Sequence, residues 1–456
     1  MSELTELKLW HGAGLASSGS LMRIPPSDSV PISNRVRRIL DSSVLRRLAC
    51  ISQLGMVNLV YPGAMHSRFE HTLGVYLNAL RFLDRFTRDP QVGPWLDQAH
   101  CDAFLLAALL HDAGHWPYCH PIEDMQLADL PSHEQRLTEV ITDPELAAAI
   151  DQDWQCTPEL MLALLGVGPQ RDMNTPAVTF LASCLSGPVD IDKLDYLQRD
   201  SLHCGVEYGR NFDSQRLISA LTVDPSTQRL AVDAKGQTAA EMMVFSRYIM
   251  FNEVYWHHTV RAATAMLQRS IFLLQHRLDL PSTLKLADAA WIALLRRTGE
   301  GSLAEPMIEG LFGTRRVLYK PAAEFSVLSG RPLHERLTRR PYWWLVALAE
   351  TLTQTVSRRF GIAVSPVDIL IDAPPTKLEV DINVAIRKFD GACQPLEDVS
   401  PVAATLARQQ FDDIVKKVRL FVRPGLREHL KQQISTDQDW GQILNEAIEV
   451  MEEQWV

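Results

Sequence analysis

Leu105-Leu106-Ala107-Ala108-Leu109-Leu110-His111-Asp112-Ala113-Gly114-His115-Trp116-Pro117-Tyr118-Cys119-His120 is an apolar run that ends on a His-Asp pair. The run is apolar on every side, which predicts a buried helix. Gly114 and Pro117 are stop signals, so His111 and Asp112 fall on the last turn, with His115 and His120 just beyond. A buried carboxylate beside a buried imidazole is costly unless something pairs with it. Two partners meet that need. One is a neighbouring hydrogen-bonding group, which makes His111 an ordinary core histidine; the other is a divalent metal.

Upstream, the turn Tyr61-Pro62-Gly63-Ala64 leads into Ser67-Arg68-Phe69-Glu70-His71-Thr72-Leu73-Gly74-Val75. Ser67 and Glu70 have capping-box spacing, which predicts a helix start, and Phe69, Leu73, Leu77, Leu80 and Leu83 continue at helical period. His71 then sits in the first turn, and Glu70 reads as a cap rather than a catalytic group. Downstream, Ser186-Gly187-Pro188 precedes Val189-Asp190-Ile191-Asp192-Lys193-Leu194-Asp195-Tyr196-Leu197-Gln198-Arg199-Asp200. Ile191, Leu194 and Leu197 form an apolar stripe, while Asp192, Asp195, Tyr196, Arg199 and His203 share another line of the helix. Such a polar stripe is either a solvated face or a functional one.

At 456 residues, with 46% hydrophobic and 22% charged side chains, the chain has the composition of a globular protein with a large core. A net charge of −10 argues against wholesale wrapping of nucleic acid, so phosphate binding requires a local basic pocket. Cysteines at 50, 101, 119, 156, 184, 204 and 393 include no CxxC pair, which suits a reducing cytosol better than a disulfide or zinc-finger framework. No signal-peptide pattern and no membrane-length apolar run is present, so a cytoplasmic protein is expected.

Residues 1–30 have no clear period and read as loop. From Ser33 to about Gly55, Val36, Ile39, Leu40, Val44, Leu45 and Leu48 alternate with Arg35, Arg37, Arg38, Arg46 and Arg47, read as a helical segment with a solvated basic face. Pro131-Ser132-His133-Glu134-Gln135 starts another helix, and Pro158, Pro169 and Pro176 break the helices of 143–184. Residues 217–236 suggest a hairpin, and a single long helix is expected from about Ala239 to Leu274, with Arg247, Tyr255 and His258 on one face and His257 beside them. Beyond about 300 the texture changes. Strands are expected at Val367–Leu370, Leu378–Ile386 and Leu420–Val422, with helices at 342–360, 402–418 and Trp440–Trp455. The expectation is a mainly α protein: an extension (1–34), a helical domain (35–300) and a smaller C-terminal α+β domain (301–456).

Assembled, His71, His111, Asp112 and Asp192 supply two imidazoles and two carboxylates, a mixed set suited to a divalent metal such as Mn, Fe, Co, Ni, Zn or Mg. Four protein ligands leave positions for water and a phosphate oxygen, as metal-assisted hydrolysis requires. His115, His120 and His133 are candidate acids or bases, and Arg68, Lys193 and Arg247 candidate anion clamps.

Arg-Phe-Glu-His at 68–71, Leu-Leu-His-Asp-Ala-Gly-His at 109–115 and Asp-Ile-Asp-Lys-Leu-Asp-Tyr at 190–196 together resemble the HD-domain phosphohydrolases. The likeness is greatest to the deoxynucleoside triphosphate triphosphohydrolase branch and spans roughly residues 35–275. That resemblance implies His71, His111, Asp112 and Asp192 as metal ligands. It implies His115, His120, Glu123 and His133 as groups that contact the α-phosphate or move protons, with His115 or His133 protonating the departing 5′-oxygen and Glu123 orienting one of them. Arg68, Lys193 and Arg247 would hold the triphosphate. Gln53, Asp200 and Tyr196 would line the ribose, with Leu54 packing beside it, and Tyr255 and His257 would lie nearer the sugar and base. His258 stands where relatives often carry Lys, which makes that contact conditional on protonation.

Two segments depart from the family pattern. Ile24-Pro25-Pro26-Ser27-Asp28 stands in place of Asp-Pro-x-His-Gly, and Ala49 replaces an arginine in Arg47-Leu48-Ala49-Cys50-Ile51-Ser52-Gln53-Leu54-Gly55. Both bear on a regulatory purine-nucleotide site, so activity independent of GTP is expected, alongside a homo-oligomer. The resulting expectation is a metal-dependent hydrolase that converts deoxynucleoside triphosphates to deoxynucleoside and tripolyphosphate. The alternatives are a related enzyme acting on a nucleoside monophosphate, modified nucleotide or nucleic-acid end, and a nucleotide-binding sensor with little turnover.

Overall fold

The computed structural model describes residues 4–12, 19–26, 28–128, 130–168, 174–375, 384–408 and 415–453. Three helices form its centre. Arg68–Phe86 packs against both Gln98–Leu110 and Ile191–Cys204. The Gln98–Leu110 helix is capped by Asp97, whose carboxylate accepts from the His100 amide, and every side chain from Cys101 to Leu110 is buried. His111 is its C-cap residue, as the Gly114 and Pro117 signals imply. Ile191–Cys204 begins on Asp190 as N-cap and ends at Gly205, whose φ of 69° is the left-handed stop that glycine permits. Where the first and third helices cross, Gly74 is required. A Cβ there would lie 1.8 Å from Asp195 Oδ1 and 2.4 Å from Arg199 Nη2.

The prolines at 158 and 176 start helices rather than only breaking them. Pro158–Leu164 and Pro176–Leu185 carry proline in their first turn behind the caps Thr157 and Thr175, and Pro144–Asp153 repeats the arrangement behind Asp143. Pro169 lies outside the described residues. The hairpin expected at 217–236 is present as Leu221–Asp224 antiparallel to Arg229–Asp233.

Three expectations need correction. First, the N-terminal segment is not loop throughout: Thr5–Trp10 is helical, and Gly19–Ile24 pairs antiparallel with Asp28–Ser33. Val30 and Ile32 bury one face of that hairpin, but Pro31 between them and Pro25-Pro26 at the turn obscure the alternation. Residues 13–18 lie outside the described residues. Second, the single helix expected over 239–274 is two, Gln237–Met250 and His258–Leu274, joined by a π-helical turn at Phe251–Tyr255. No Gly or Pro marks the break. The second helix restarts where the His257 imidazole accepts from the Thr259 amide. Third, the basic face of 33–55 is only partly solvated. Arg37, Arg38 and Arg46 are exposed, but Arg35 and Arg47 point inward.

Arg35 closes a buried network. Its Nε and Nη2 donate to both carboxylate oxygens of Glu6 at 2.8 and 2.7 Å, and its Nη1 donates to Asp102 Oδ2 at 2.9 Å. The guanidinium also lies over Trp154. Burial would raise the Glu6 carboxyl, but Arg35 outweighs it and holds Glu6 below the usual carboxylate range. That stabilisation is therefore present above the ordinary glutamate pKa and is lost as pH falls through the lowered value. Arg35→Ala strands two buried carboxylates and is expected to cost about 3–5 kcal/mol. Denaturant titration checks this against Arg37→Ala, which should be within about 0.5 kcal/mol of wild type; equal effects of the two would refute the network's role.

The C-terminal part is the expected smaller α+β unit. Lys320–Phe325, Val418–Val422 and Ile369–Asp372 form an antiparallel sheet with Val418–Val422 in the centre. The helices Tyr342–Phe360 and Asp437–Glu453 pack with it around a separate core that includes Phe325, Leu352, Leu420 and Ile448. Lys320–Phe325 was not anticipated, because Pro321 and Glu324 interrupt its apolar pattern. Of the strand expected at 378–386, residues 378–383 lie outside the described set. Ala385–Arg387 is extended, runs parallel to Arg229–Asp233 and places Ile386 in the larger core. The helix expected over 402–418 is described only as Pro401–Arg408, and Val418 is already strand. Among the described residues no helix is long and apolar enough to cross a membrane.

Candidate metal centre and adjoining cavity

His71 and His111 meet at the crossing of the central helices, with their Nε2 atoms 3.3 Å apart. Asp192 Oδ1 lies 3.0 Å from His71 Nε2 and 4.0 Å from His111 Nε2. Asp112 Oδ1 is 3.6 Å from His111 Nε2. His71, His111 and Asp192 sit at the ends of three helices and Asp112 in the turn just past the second, and these end positions explain the convergence: first turn for His71, C-cap for His111, first turn for Asp192.

The donor chemistry of this cluster fits a dication. His71 Nδ1 donates to Asp195 Oδ2 at 2.8 Å, and His111 Nδ1 donates to the Ala108 carbonyl at 2.9 Å. With Nδ1 protonated, each neutral ring presents the lone pair of Nε2. Two such lone pairs and a carboxylate oxygen then converge with no donor among them, an arrangement that a cation stabilises. In the absence of one, a proton takes its place. Burial would lower the His71 imidazole, but hydrogen bonds to Asp192 and Asp195 outweigh that and push it up to about 10.

Asp195 and Arg199 lie behind the candidate ligands. Arg199 Nε and Nη2 grip both Asp195 oxygens at 2.8 and 2.7 Å, which fixes the carboxylate that orients His71. Burial would raise Asp195, yet Arg199 and His71 hold it at about 2. Glu70 is not a cap. Ser67 Oγ accepts from the Glu70 amide, but the Glu70 carboxylate turns away to accept from Arg199 Nη1 and His203 Nε2 at 2.7 and 2.8 Å. The polar stripe is thus largely an internal ion-pair ladder rather than a solvated face. Its i,i+4 spacing was visible in the sequence; its partners on another helix were not.

The loop after His111 is held from behind by two arginines that the sequence reading did not assign to it. Arg47 Nη2 donates to the Ala113 and His115 carbonyls at 3.1 and 2.7 Å, and Arg136 Nη1 donates to the Gly114 carbonyl at 2.8 Å. Gly114 permits close docking of the His133–Val140 helix, because a Cβ there would lie 2.0 Å from the His133 carbonyl oxygen. That contact brings the His115 and His133 rings to 4.0 Å between centroids, with His120 edge-on to both. Glu123 accepts from the His133 amide at 2.7 Å and from its Nδ1 at 2.9 Å, and lies 3.6 Å from His120 Nδ1. Burial would raise Glu123, but the hydrogen bonds from His120 and His133 hold it well below the carboxylate range. His115 is different: burial and the nearby Arg68 charge depress it well below the usual imidazole value.

A cavity of about 720 Å³ adjoins this cluster, and Arg68, His120, Glu123, Tyr196 and Asp200 supply polar groups to its lining. Arg68 is the shared wall, since its Nη1 also donates to Asp112 Oδ2 at 2.7 Å. Gln53, Leu54 and Tyr255 line the cavity as well, and Phe251, Trp256 and Val260 add apolar surface. Both oxygens of Asp200 are engaged, by the Tyr255 hydroxyl at 2.6 Å and His66 Nε2 at 2.9 Å. Lys193 does not line the cavity. Its ammonium donates to Asp190 Oδ2 at 2.6 Å, and that carboxylate outweighs burial to keep the amine's pKa raised. Arg247 is buried and is an electrostatic neighbour of Lys193 and Tyr196. His257 and His258 are not brought into the cavity lining. The helix break turns them toward Arg419, with Glu324 and Lys320 also near His258.

The family model described as the HD associated region matches residues 212–436. An uncharacterized protein of Methanocaldococcus jannaschii is 30% identical over 372 residues, covering 81% of this chain and 72% of that protein. The human deoxynucleoside triphosphate triphosphohydrolase SAMHD1 is 27% identical over 247 residues, covering 48% of this chain and only 39% of the human protein. Among solved structures, a hypothetical protein from Aquifex aeolicus is 26% identical with a TM-score of 0.68, covering 91% of this chain and all of that one.

Proposed function

This chain belongs to the HD-domain phosphohydrolases related to the deoxynucleoside triphosphate triphosphohydrolases, and from that premise we propose that it hydrolyses deoxynucleoside triphosphates to deoxynucleoside and tripolyphosphate. One observation carries the reading: the cavity, through Arg68, shares a wall with the His71–His111–Asp112–Asp192 cluster and is lined by both polar and apolar side chains. Its volume lies within the range of nucleotide-sized pockets, about 300–1,000 Å³. A dication held by the four residues would supply Lewis-acid activation of a phosphoryl oxygen and of water.

The chain's own residues divide the remaining work. Arg68 balances phosphate charge in the cavity. His133, with Nδ1 fixed by Glu123, presents Nε2 for proton transfer to the departing oxygen. Asp200 and Tyr255 meet the sugar; each Asp200 oxygen retains a lone pair for a hydroxyl donor. Phe251, Trp256 and Leu54 offer apolar surface to the base.

A second reading rests on the cations. Lys193 is committed to Asp190 and Arg68 to Asp112, so the charge facing the cavity is smaller than Arg68, Lys193 and Arg247 would give as free clamps. That favours a phosphoester with fewer charges, such as a nucleoside monophosphate. The test is to incubate metal-loaded protein with a panel of mono- and triphosphates, ribo and deoxy, with and without GTP, and to weigh the products. Intact tripolyphosphate, formed without GTP, is the expected result. Inorganic phosphate from monophosphates alone would establish the second reading instead.

A further inference from the structure

Cys119 takes no part in the chemistry above, yet its surroundings are those of a ligand. It is buried and opens the short helix Cys119–Glu123, so Glu123 follows one helical turn later on the same face. The Cys119 Sγ, a Glu123 carboxylate oxygen and a His133 ring nitrogen all lie within 4.8 Å of one another. A second group, His115, His120 and His133, satisfies the same limit and shares His133 with the first. Within that group the His115 Nε2 is buried and has no hydrogen-bond partner. None of these residues belongs to the His71–His111–Asp112–Asp192 set. Cys119, His120 and Glu123 also line the cavity, so a cation reaches them by the route open to substrate.

We propose that Cys119, Glu123 and His133 form a second metal site, selective for a thiophilic dication such as Zn²⁺, whose occupation shuts the enzyme off. Thiolate, imidazole and carboxylate are the three ligand types that zinc takes, and three protein ligands leave a fourth position for water or for His120. Binding forms Zn–S, Zn–N and Zn–O bonds and releases one proton to solvent, from the Cys119 thiol; the neutral His133 ring binds through one nitrogen and carries its single proton on the other. No electron is transferred. Hard ions such as Mg²⁺ have little affinity for a thiolate and leave the site free, so the switch distinguishes metals by softness. The binding stands on this geometry alone. The inhibition rests on the proposed proton-transfer role of His133 and Glu123, which bound zinc would occupy.

The experiment uses full-length protein whose first site has been loaded with Mn²⁺. Zinc is then titrated while bound zinc per chain and turnover are measured. Parallel samples receive Co²⁺, which reports a sulfur ligand as a near-ultraviolet charge-transfer band. Wild type is expected to take up one further equivalent, show the band and lose turnover. Cys119→Ser, with Cys119→Ala as a second variant, should keep its manganese, lose the band, bind the further equivalent about 10–100-fold more weakly, and hold its own zinc-free turnover up to correspondingly higher zinc. Absence of the band in wild type, or equally tight zinc binding in both variants, would overturn the site. The band and the further equivalent with turnover unchanged would uphold the site and overturn the inhibition, and with it the proton-transfer reading.

Discussion

Alanine at position 133 is expected to lower turnover by about 10²–10⁴-fold while leaving metal content unchanged. His133 follows the cavity-lining Ser132, and both its Nδ1 and its amide are held by the Glu123 carboxylate at hydrogen-bond distance. That double contact fixes the ring's orientation and its tautomer, so Nε2 is left to exchange a proton. The ionised Glu123 also favours the imidazolium that a proton donor must become between cycles. Glu123→Gln should give a smaller loss together with a shifted pH profile, because shape survives and charge does not. His115→Ala tests the competing assignment. Burial and Arg68 keep that ring neutral in the substrate-free protein, which suits it to contact phosphate more than to donate a proton. Single-turnover rates and metal analysis of the three variants separate the cases. A His133→Ala enzyme of wild-type rate would remove His133 from the chemistry, and loss of metal would make it a ligand.

Much of this geometry was legible because the helices that carry it are decided locally. The Leu105–Leu110 run can only be buried, and short polar residues at helix ends have limited reach, so His71, His111, Asp112 and Asp192 had few places to go. Long side chains were less legible. Arg35 and Arg47 lie in the same arginine-rich segment as the exposed Arg37 and Arg46, and the carboxylate or carbonyl that each meets distinguishes them. Glu70 has the spacing of a cap, but an Arg and a His more than a hundred positions away outcompete the helix amide for its carboxylate.

The misplaced histidines have a related cause. His257 and His258 were put beside Tyr255 by extrapolating one helical period through 239–274. The π-helical turn at Phe251–Tyr255 adds a residue to the turn and rotates everything after it. Tyr255 stays at the cavity with its hydroxyl on Asp200, while the two imidazoles face the C-terminal unit. A break without Gly or Pro leaves no local mark, since tertiary contacts create it.

Asp112→Asn is expected to abolish high-affinity metal binding, and Asp192→Ala to do the same. Removing even an outer-shell partner typically weakens metal affinity about 10–100-fold, so a charged ligand should cost at least that. Asp112 has a second duty that sharpens the effect. Its Oδ2 neutralises the buried Arg68 guanidinium, and an amide would leave that charge unpaired next to an incoming dication. The pH dependence follows from His71. In metal-free protein its pKa is raised to about 10, so below that value a dication must displace a proton from Nε2. Metal affinity should therefore rise about tenfold per pH unit across the neutral range and up to about 10. The sign for stability is opposite: the protonated His71 bridges Asp192 and Asp195, a contribution complete below the unfolded imidazole pKa and lost as pH rises through about 10. Metal-free protein should thus lose stability on going alkaline, and metal-loaded protein should not. Equilibrium dialysis and thermal unfolding across pH check both trends. Full occupancy in Asp112→Asn and Asp192→Ala, or affinity that does not change with pH, would mean that the ion is held elsewhere.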